Sequence, residues 1–89
     1  MTKADNEPRE FAHEEVLDAL GLKCPLPVLK TRRALSRLGA GATLVVIATD
    51  PMSAIDIPHL VREMGEDLVG ASEEDGVLRF VIRGRGAPA

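Results

Sequence analysis

Residues Gly21 to Pro51 read GLKCPLPVLKTRRALSRLGAGATLVVIATDP, and this stretch decides the fold. Gly21 marks a turn that leads into Lys23, Cys24 and Pro25. Beyond it Val28, Thr31, Leu35 and Leu38 recur at helical spacing and predict a helix with one buried stripe, which Gly39 brings to a stop. Thr43 to Ala48 is an almost unbroken run of β-branched and apolar residues, the pattern of a central strand covered on at least one face. Asp50-Pro51 ends that strand.

Upstream, Glu15 to Ala19 alternates weakly and predicts a short first strand. Downstream, Asp56 is expected to cap a second helix in which Ile57, Leu60, Val61 and Met64 form the apolar face, with Pro58 tolerated in the first turn and Gly65 ending the element. Leu68 to Ser72 and Val77 to Ile82 predict two more strands, joined through Glu73-Glu74-Asp75-Gly76, where Asp-Gly is a strong hairpin signal. The expected order is therefore β-α-β-α-β-β. Helices that alternate with strands and carry one apolar face each suit an α+β, two-layer α/β sandwich, with both helices on one face of a mixed four-stranded sheet. Arg79 and Arg83 alternate with Phe80 and Ile82, as expected of a sheet with one wet and one dry side. The polar, aperiodic residues 1–13 read as a flexible N-terminal arm, residues 14–83 as the domain, and residues 84–89 as a flexible tail.

Composition narrows the function. The 89 residues are 45% hydrophobic but only 2% aromatic, so the core must be aliphatic and stacking platforms for bases or sugars are absent. A net charge of -3 argues against a surface devoted to nucleic acid. The longest apolar run falls far short of the roughly 20 residues that span a bilayer, and no basic-then-apolar leader opens the chain; a cytoplasmic protein without membrane contact is expected. One cysteine rules out an internal disulfide framework. One thiol with His13 and His59 far apart is also a poor basis for a metal site, so none is expected.

Cys24 is the residue with chemistry to offer. With Cys24 at the cap and Pro25 at the first helical position, its sulfur is expected over the positive end of the helix dipole, which favours thiolate and predicts a moderately activated nucleophile. The competing view is a small hydrophobe in the core. Charge distribution adds a second clue: from Ala19 to Thr49 no residue is acidic, while Lys23, Lys30, Arg32, Arg33 and Arg37 are all basic. Leu26, Lys30, Arg33 and Arg37 fall opposite the apolar stripe with Leu29 beside them, so Leu26 and Leu29 are expected to be exposed near the thiol. An apolar pair ringed by cations suits docking of an acidic partner, although an ordinary solvated helix face has the same composition. Asp50 and Asp56 read first as turn former and cap, and neither histidine makes a convincing partner for the cysteine.

Three segments together carry a specific pattern: Leu17-Asp18-Ala19-Leu20-Gly21-Leu22-Lys23-Cys24-Pro25-Leu26-Pro27, then Thr49-Asp50-Pro51, then Asp56-Ile57-Pro58. From about Val16 to Arg83 the chain resembles the TusA/SirA/YedF family of small sulfur-transfer proteins. The resemblance implies the same two-layer sandwich, and it implies that Cys24 accepts a sulfane sulfur from a cysteine desulfurase or another persulfide donor and hands it to a downstream acceptor protein. The sulfur would ride as a covalent persulfide, with no further cofactor. Arg32 and Asp50 match partner-contact positions of the family, and Pro25 and Pro27 match the rigid frame of its motif. Lys23, Leu26, Leu29 and Arg33 complete the expected docking surface. Relatives serve wobble-uridine thiolation in tRNA, molybdenum-cofactor assembly or sulfur oxidation. A C-P-L-P run has no second thiol to expel the cargo as sulfide, which suits a carrier. A monomer with no direct nucleic-acid contact is expected. The rivals are a non-catalytic adaptor with a structural cysteine, and salt-sensitive nucleic-acid binding through the basic helix.

Overall fold

A computed structural model describes residues 14–85. Its elements are β1 (Glu14–Ala19), α1 (Leu26–Ser36), β2 (Thr43–Ala48), α2 (Ser53–Glu63), β3 (Asp67–Glu74) and β4 (Val77–Arg83). The sheet order is β1-β2-β4-β3. β1 and β2 run parallel, with Ala19 opposite Ala48, and the β2–β4 and β3–β4 pairs are antiparallel. This is the mixed four-stranded sheet expected from the sequence. Among the described residues no helix is long and apolar enough to cross a membrane.

Side chains alternate across each strand, so Leu44 and Val46 of β2 and Phe80 and Ile82 of β4 point to one face. There they meet Ala34 and Leu35 of α1 and Ile57, Leu60 and Val61 of α2 in a single buried cluster. Arg79 and Arg83 lie exposed on the other face. Across that face runs a valine row, Val16, Val45 and Val81, that ends opposite Gly70. In α1 the buried positions are Pro27, Thr31, Ala34 and Leu35, with Val28 and Leu38 packed at the margin. Thr31 is fully buried, and its hydroxyl donates to the Pro27 carbonyl at 2.7 Å, which satisfies a group that would be costly to bury unpaired.

Several local expectations need correction. α1 ends at Ser36, with Arg37 as C-cap, three residues before the glycine expected to stop it. α2 starts at Ser53 rather than after Asp56, and its N-cap is Met52 without a side-chain bond. Asp50 makes the earlier start possible: its side chain accepts from the Met52 N–H at 3.2 Å and its carbonyl from the Ser53 N–H at 2.9 Å. Pro58 consequently lies inside α2, where it cannot donate to the Ala54 carbonyl; Ala54 is exposed, so water can take that acceptor. The C-terminal end conforms to expectation. Gly65 adopts φ 76°, and the bonds from Gly65 N–H to Arg62 O and from Glu66 N–H to Val61 O close a Schellman motif. The hairpin strands are longer than read. Asp75 and Gly76, both at positive φ, form a two-residue turn whose twist matches the flanking strands, and a register shift between Leu68 and Gly70 marks a bulge.

The expected arm, residues 1–13, and most of the expected tail lie outside the described residues. Gly84 and Arg85, assigned to that tail, are tied to the domain. Gly84 exchanges backbone bonds with Gly41 and Ala42, each 2.8 Å, and the Arg85 N–H donates to Glu66 at 2.8 Å. Gly84 is buried so closely that a Cβ there would sit 2.5 Å from the Gly39 carbonyl oxygen and 3.2 Å from the Leu38 side chain. Gly84→Ala is therefore expected to cost about 1–3 kcal/mol and lower the urea midpoint. Gly39→Ala, with nothing within 4 Å of its Cβ, should stay within about 0.5 kcal/mol of wild type.

Candidate functional site

Parallel pairing of β1 with β2 brings the loops that follow these strands to the same end of the sheet, and the motif loop is stitched to the other there. Gly21, at φ 78°, turns its N–H onto the Thr49 hydroxyl at 2.9 Å. The Cys24 N–H donates to the Asp50 carboxylate, whose other oxygen takes the Met52 N–H. Asp50 thus joins the start of one helix to the approach of the other. Its expected place among partner contacts must accommodate this: the residue is half-buried and both carboxylate oxygens already accept backbone donors.

Cys24 is exposed, in keeping with an accessible thiol and not with a core hydrophobe. Its position on the helix differs from expectation by one residue. Pro25 is the N-cap, α1 begins at Leu26, and the Leu26 N–H turns back to the Lys23 carbonyl at 2.8 Å. The Cys24–Pro25 peptide bond is cis. Cys24 therefore stands one residue before the cap, and of the opening turn's two non-proline amides, Leu26 and Val28, the first is occupied.

The electrostatics follow suit. Sγ lies 3.7 Å from Asp56 Oδ2, within reach of an S–H···O bond. Partial desolvation first, then the Asp56 charge and its hydrogen bond, then the charge of Asp50, push the Cys24 thiol above its ordinary value. This direction is opposite to that of the dipole-activated thiolate expected from the sequence. An anionic sulfur that stands before the cap, with the Leu26 amide engaged elsewhere, gains less from the helix end, and it loses by facing carboxylates.

The sulfur opens into a shallow cleft between the two helices, walled by Pro25, Val28 and Arg32 on one side and by Asp56, His59 and Glu63 on the other. Arg32 reaches Glu63 at 3.5 Å, an exposed pair that spans the cleft and contributes little to stability. His59 and Glu63 are residues that sequence reasoning missed at this site. Asp56, His59 and Glu63 are spaced i, i+3 and i+7, one face of a helix, and that signal was readable once α2 starts at Ser53.

The remaining expected residues fall on the other flank of α1. Leu26 and Leu29 are about half exposed, at 48% and 52%. With Leu17 they line a groove whose rim carries Lys30, Arg33 and Arg37. Lys23 is exposed next to the thiol, while Pro25 is exposed and Pro27 buried. The structure thus separates Arg32, which faces the cysteine cleft, from Arg33, which faces the leucine groove. Among the described residues no group of three or more His, Cys, Asp or Glu side chains is placed to hold a metal ion.

Comparison with known proteins places this geometry. A family model described as sulfurtransferase TusA matches residues 15–84. The chain is 42% identical over 74 residues to the sulfur carrier protein TusA of Pseudomonas entomophila, covering 83% of this chain and 92% of that one. It is 40% identical over 70 residues to the sulfur carrier protein TusA of Allochromatium vinosum, covering 79% and 92%. Among solved structures, the crystal structure of a SirA-like protein from Desulfitobacterium hafniense superposes with a TM-score of 0.69 at 30% identity, covering 78% of this chain and 95% of that chain.

The raised thiol has a direct consequence in solution. The thiolate is the reactive form, and a raised value leaves less of it at neutral pH. The rate of Cys24 alkylation by iodoacetamide is expected to rise with pH with a midpoint above that of the same chain unfolded in urea. A native midpoint below the unfolded one would contradict this.

Proposed function

The chain belongs to the TusA family of sulfurtransferases, and on that premise we propose that Cys24 accepts a sulfane sulfur from a cysteine desulfurase or another persulfide donor and relays it to an acceptor protein. The observation that supports this most is the exposure of the chain's single thiol in a cleft between two helices, beside a separate cation-rimmed groove.

In the loading step Cys24 sulfur attacks the terminal sulfur of the donor persulfide. The donor's S–S bond breaks, a new S–S bond forms on Cys24, and the proton given up by the Cys24 thiol ends on the donor thiol that departs. Sulfur moves between two thiols with no net gain or loss of electrons. Because the chain has no second cysteine, no internal thiol can attack the loaded sulfur and release it as sulfide. The cargo waits for an acceptor, whose own thiol attacks the terminal sulfur in the second step.

A small carrier with a shallow cleft has little pocket of its own, so docking must align the sulfurs. Leu26 and Leu29 are the apolar anchors, and Lys23, Arg32 and Arg33 steer an acidic partner surface. The relay is proposed to run in the cytoplasm, with thiolation of the wobble uridine of tRNA as one example of the destinations that the family serves. The chain hands its sulfur to a protein and does not itself contact the RNA.

Incubation of the purified chain with a cysteine desulfurase and free cysteine, followed by mass spectrometry, is expected to show one added sulfur on Cys24 that a reducing thiol removes. Cys24→Ser should show none, and absence of the gain in wild type would overturn the proposal. Arg33→Glu, at an exposed position, should slow loading several-fold while leaving the melting temperature near wild type. Unchanged loading would remove that cation from the docking surface.

A further inference from the structure

The cleft sets several carboxylates against one thiol. From the loop after β2 comes Asp50, from α2 come Asp56 and Glu63, and from α1 the facing charge is Arg32. Lys23 adjoins Cys24 in the chain, and His59 also lines the cleft. These acids are not equivalent. Asp50 has both oxygens committed to backbone N–H groups, and Glu63 holds Arg32 at 3.5 Å. Asp56 is different: among the described residues the only hydrogen bond to its carboxylate is the one it accepts from Cys24 Sγ at 3.7 Å. It does not cap α2, a task left to Met52 without a side-chain bond.

Such an arrangement is the reverse of what activates a thiol. Reactive cysteines sit beside cations or helix-end amides. Here the Leu26 amide is turned away, the Arg32 guanidinium is held by Glu63, and the half-buried carboxylate of Asp56 faces the sulfur.

Resting on the carrier role proposed above, we infer that Asp56 is a positioning residue that restrains Cys24: it accepts the S–H bond and keeps the idle, exposed sulfur as a neutral thiol until a docked partner brings a cation against that carboxylate. An exposed thiol with no intramolecular resolving cysteine would otherwise be open to any small electrophile. The partner class is thereby specified in part. A sulfur donor that loads this chain must present a Lys, Arg or protonated His near its own persulfide, in addition to the acidic surface that meets the flank of α1.

Alkylation of Cys24 by iodoacetamide as a function of pH, in the full chain, tests the restraint. Asp56→Asn removes the charge at nearly constant shape. It is expected to alkylate several-fold faster than wild type at pH 7, with the midpoint of the profile moved to lower pH. Asp56→Glu keeps the charge and is expected to keep most of the restraint. In urea all variants should coincide, because the contact spans 32 residues of sequence and is lost on unfolding. If Asp56→Asn does not fold, Asp56→Ser is measured in its place, with the same expected shift. A midpoint in the neutral variant that equals the wild-type value overturns the inference. Loading by the desulfurase is scored separately. Wild type that loads while the profiles coincide overturns the restraint alone, whereas wild type that fails to load while the profiles differ overturns the carrier role and leaves the thiol–carboxylate contact supported.

Discussion

One carboxylate holds the functional end of the molecule together. Asp50 accepts the Cys24 N–H with one oxygen and the Met52 N–H with the other, and its carbonyl takes the Ser53 N–H. Charge-assisted bonds of this kind are stronger than neutral ones. Their effect is to fix the approach to α1 and the first turn of α2 relative to each other. The parallel pairing of β1 and β2 makes this possible, since it delivers both loops to one end of the sheet. Without the Asp50 link, the separation between Cys24 and the α2 face that bears Asp56, His59 and Glu63 would depend on helix packing and on the Gly21–Thr49 bond.

The two flanks of α1 then divide the work. One faces α2 and forms a cleft in which acids outnumber cations around the sulfur. The other faces β1 and presents leucines rimmed by Lys30, Arg33 and Arg37. A helix of 11 residues can serve both because its buried stripe, Pro27, Thr31, Ala34 and Leu35, is narrow. Small side chains at Thr31 and Ala34 let the helix settle onto the sheet while its long cations stay in water. A cleft in which acids outnumber cations thus lies next to a flank of leucines and cations, so most of the proposed docking surface, Arg32 apart, is distinct from the surroundings of the thiol.

Much of this was legible in the chain itself. The periodicity of Val28, Thr31, Leu35 and Leu38, the run Thr43 to Ala48, and the Asp-Gly turn gave the element order and the mixed sheet, because each reflects a local rule that packing did not override. The start of α2 was not legible. Asp56 has the composition of a cap and Pro58 the look of a first turn, yet Asp50 supplies acceptors earlier in the chain and the helix begins sooner. Reading Asp56 as a cap rather than a helical residue hid the face it shares with His59 and Glu63. The charge state of Cys24 was hidden for a different reason: its two acidic neighbours lie 26 and 32 residues away in sequence, so no motif around the cysteine announces them. Helix-dipole reasoning from the C-P-L-P run alone gave the opposite sign.

The link from Asp50 reaches Cys24 through the main chain and leaves the sulfur out of it. Any residue other than proline brings the same amide to that position. The hydrogen bonds of the cradle are therefore indifferent to the side chain displayed there, although the Asp50 charge is felt by the sulfur. A selenol or an isotopically marked thiol could be installed there as a spectroscopic reporter, and the loops around it would hold their places.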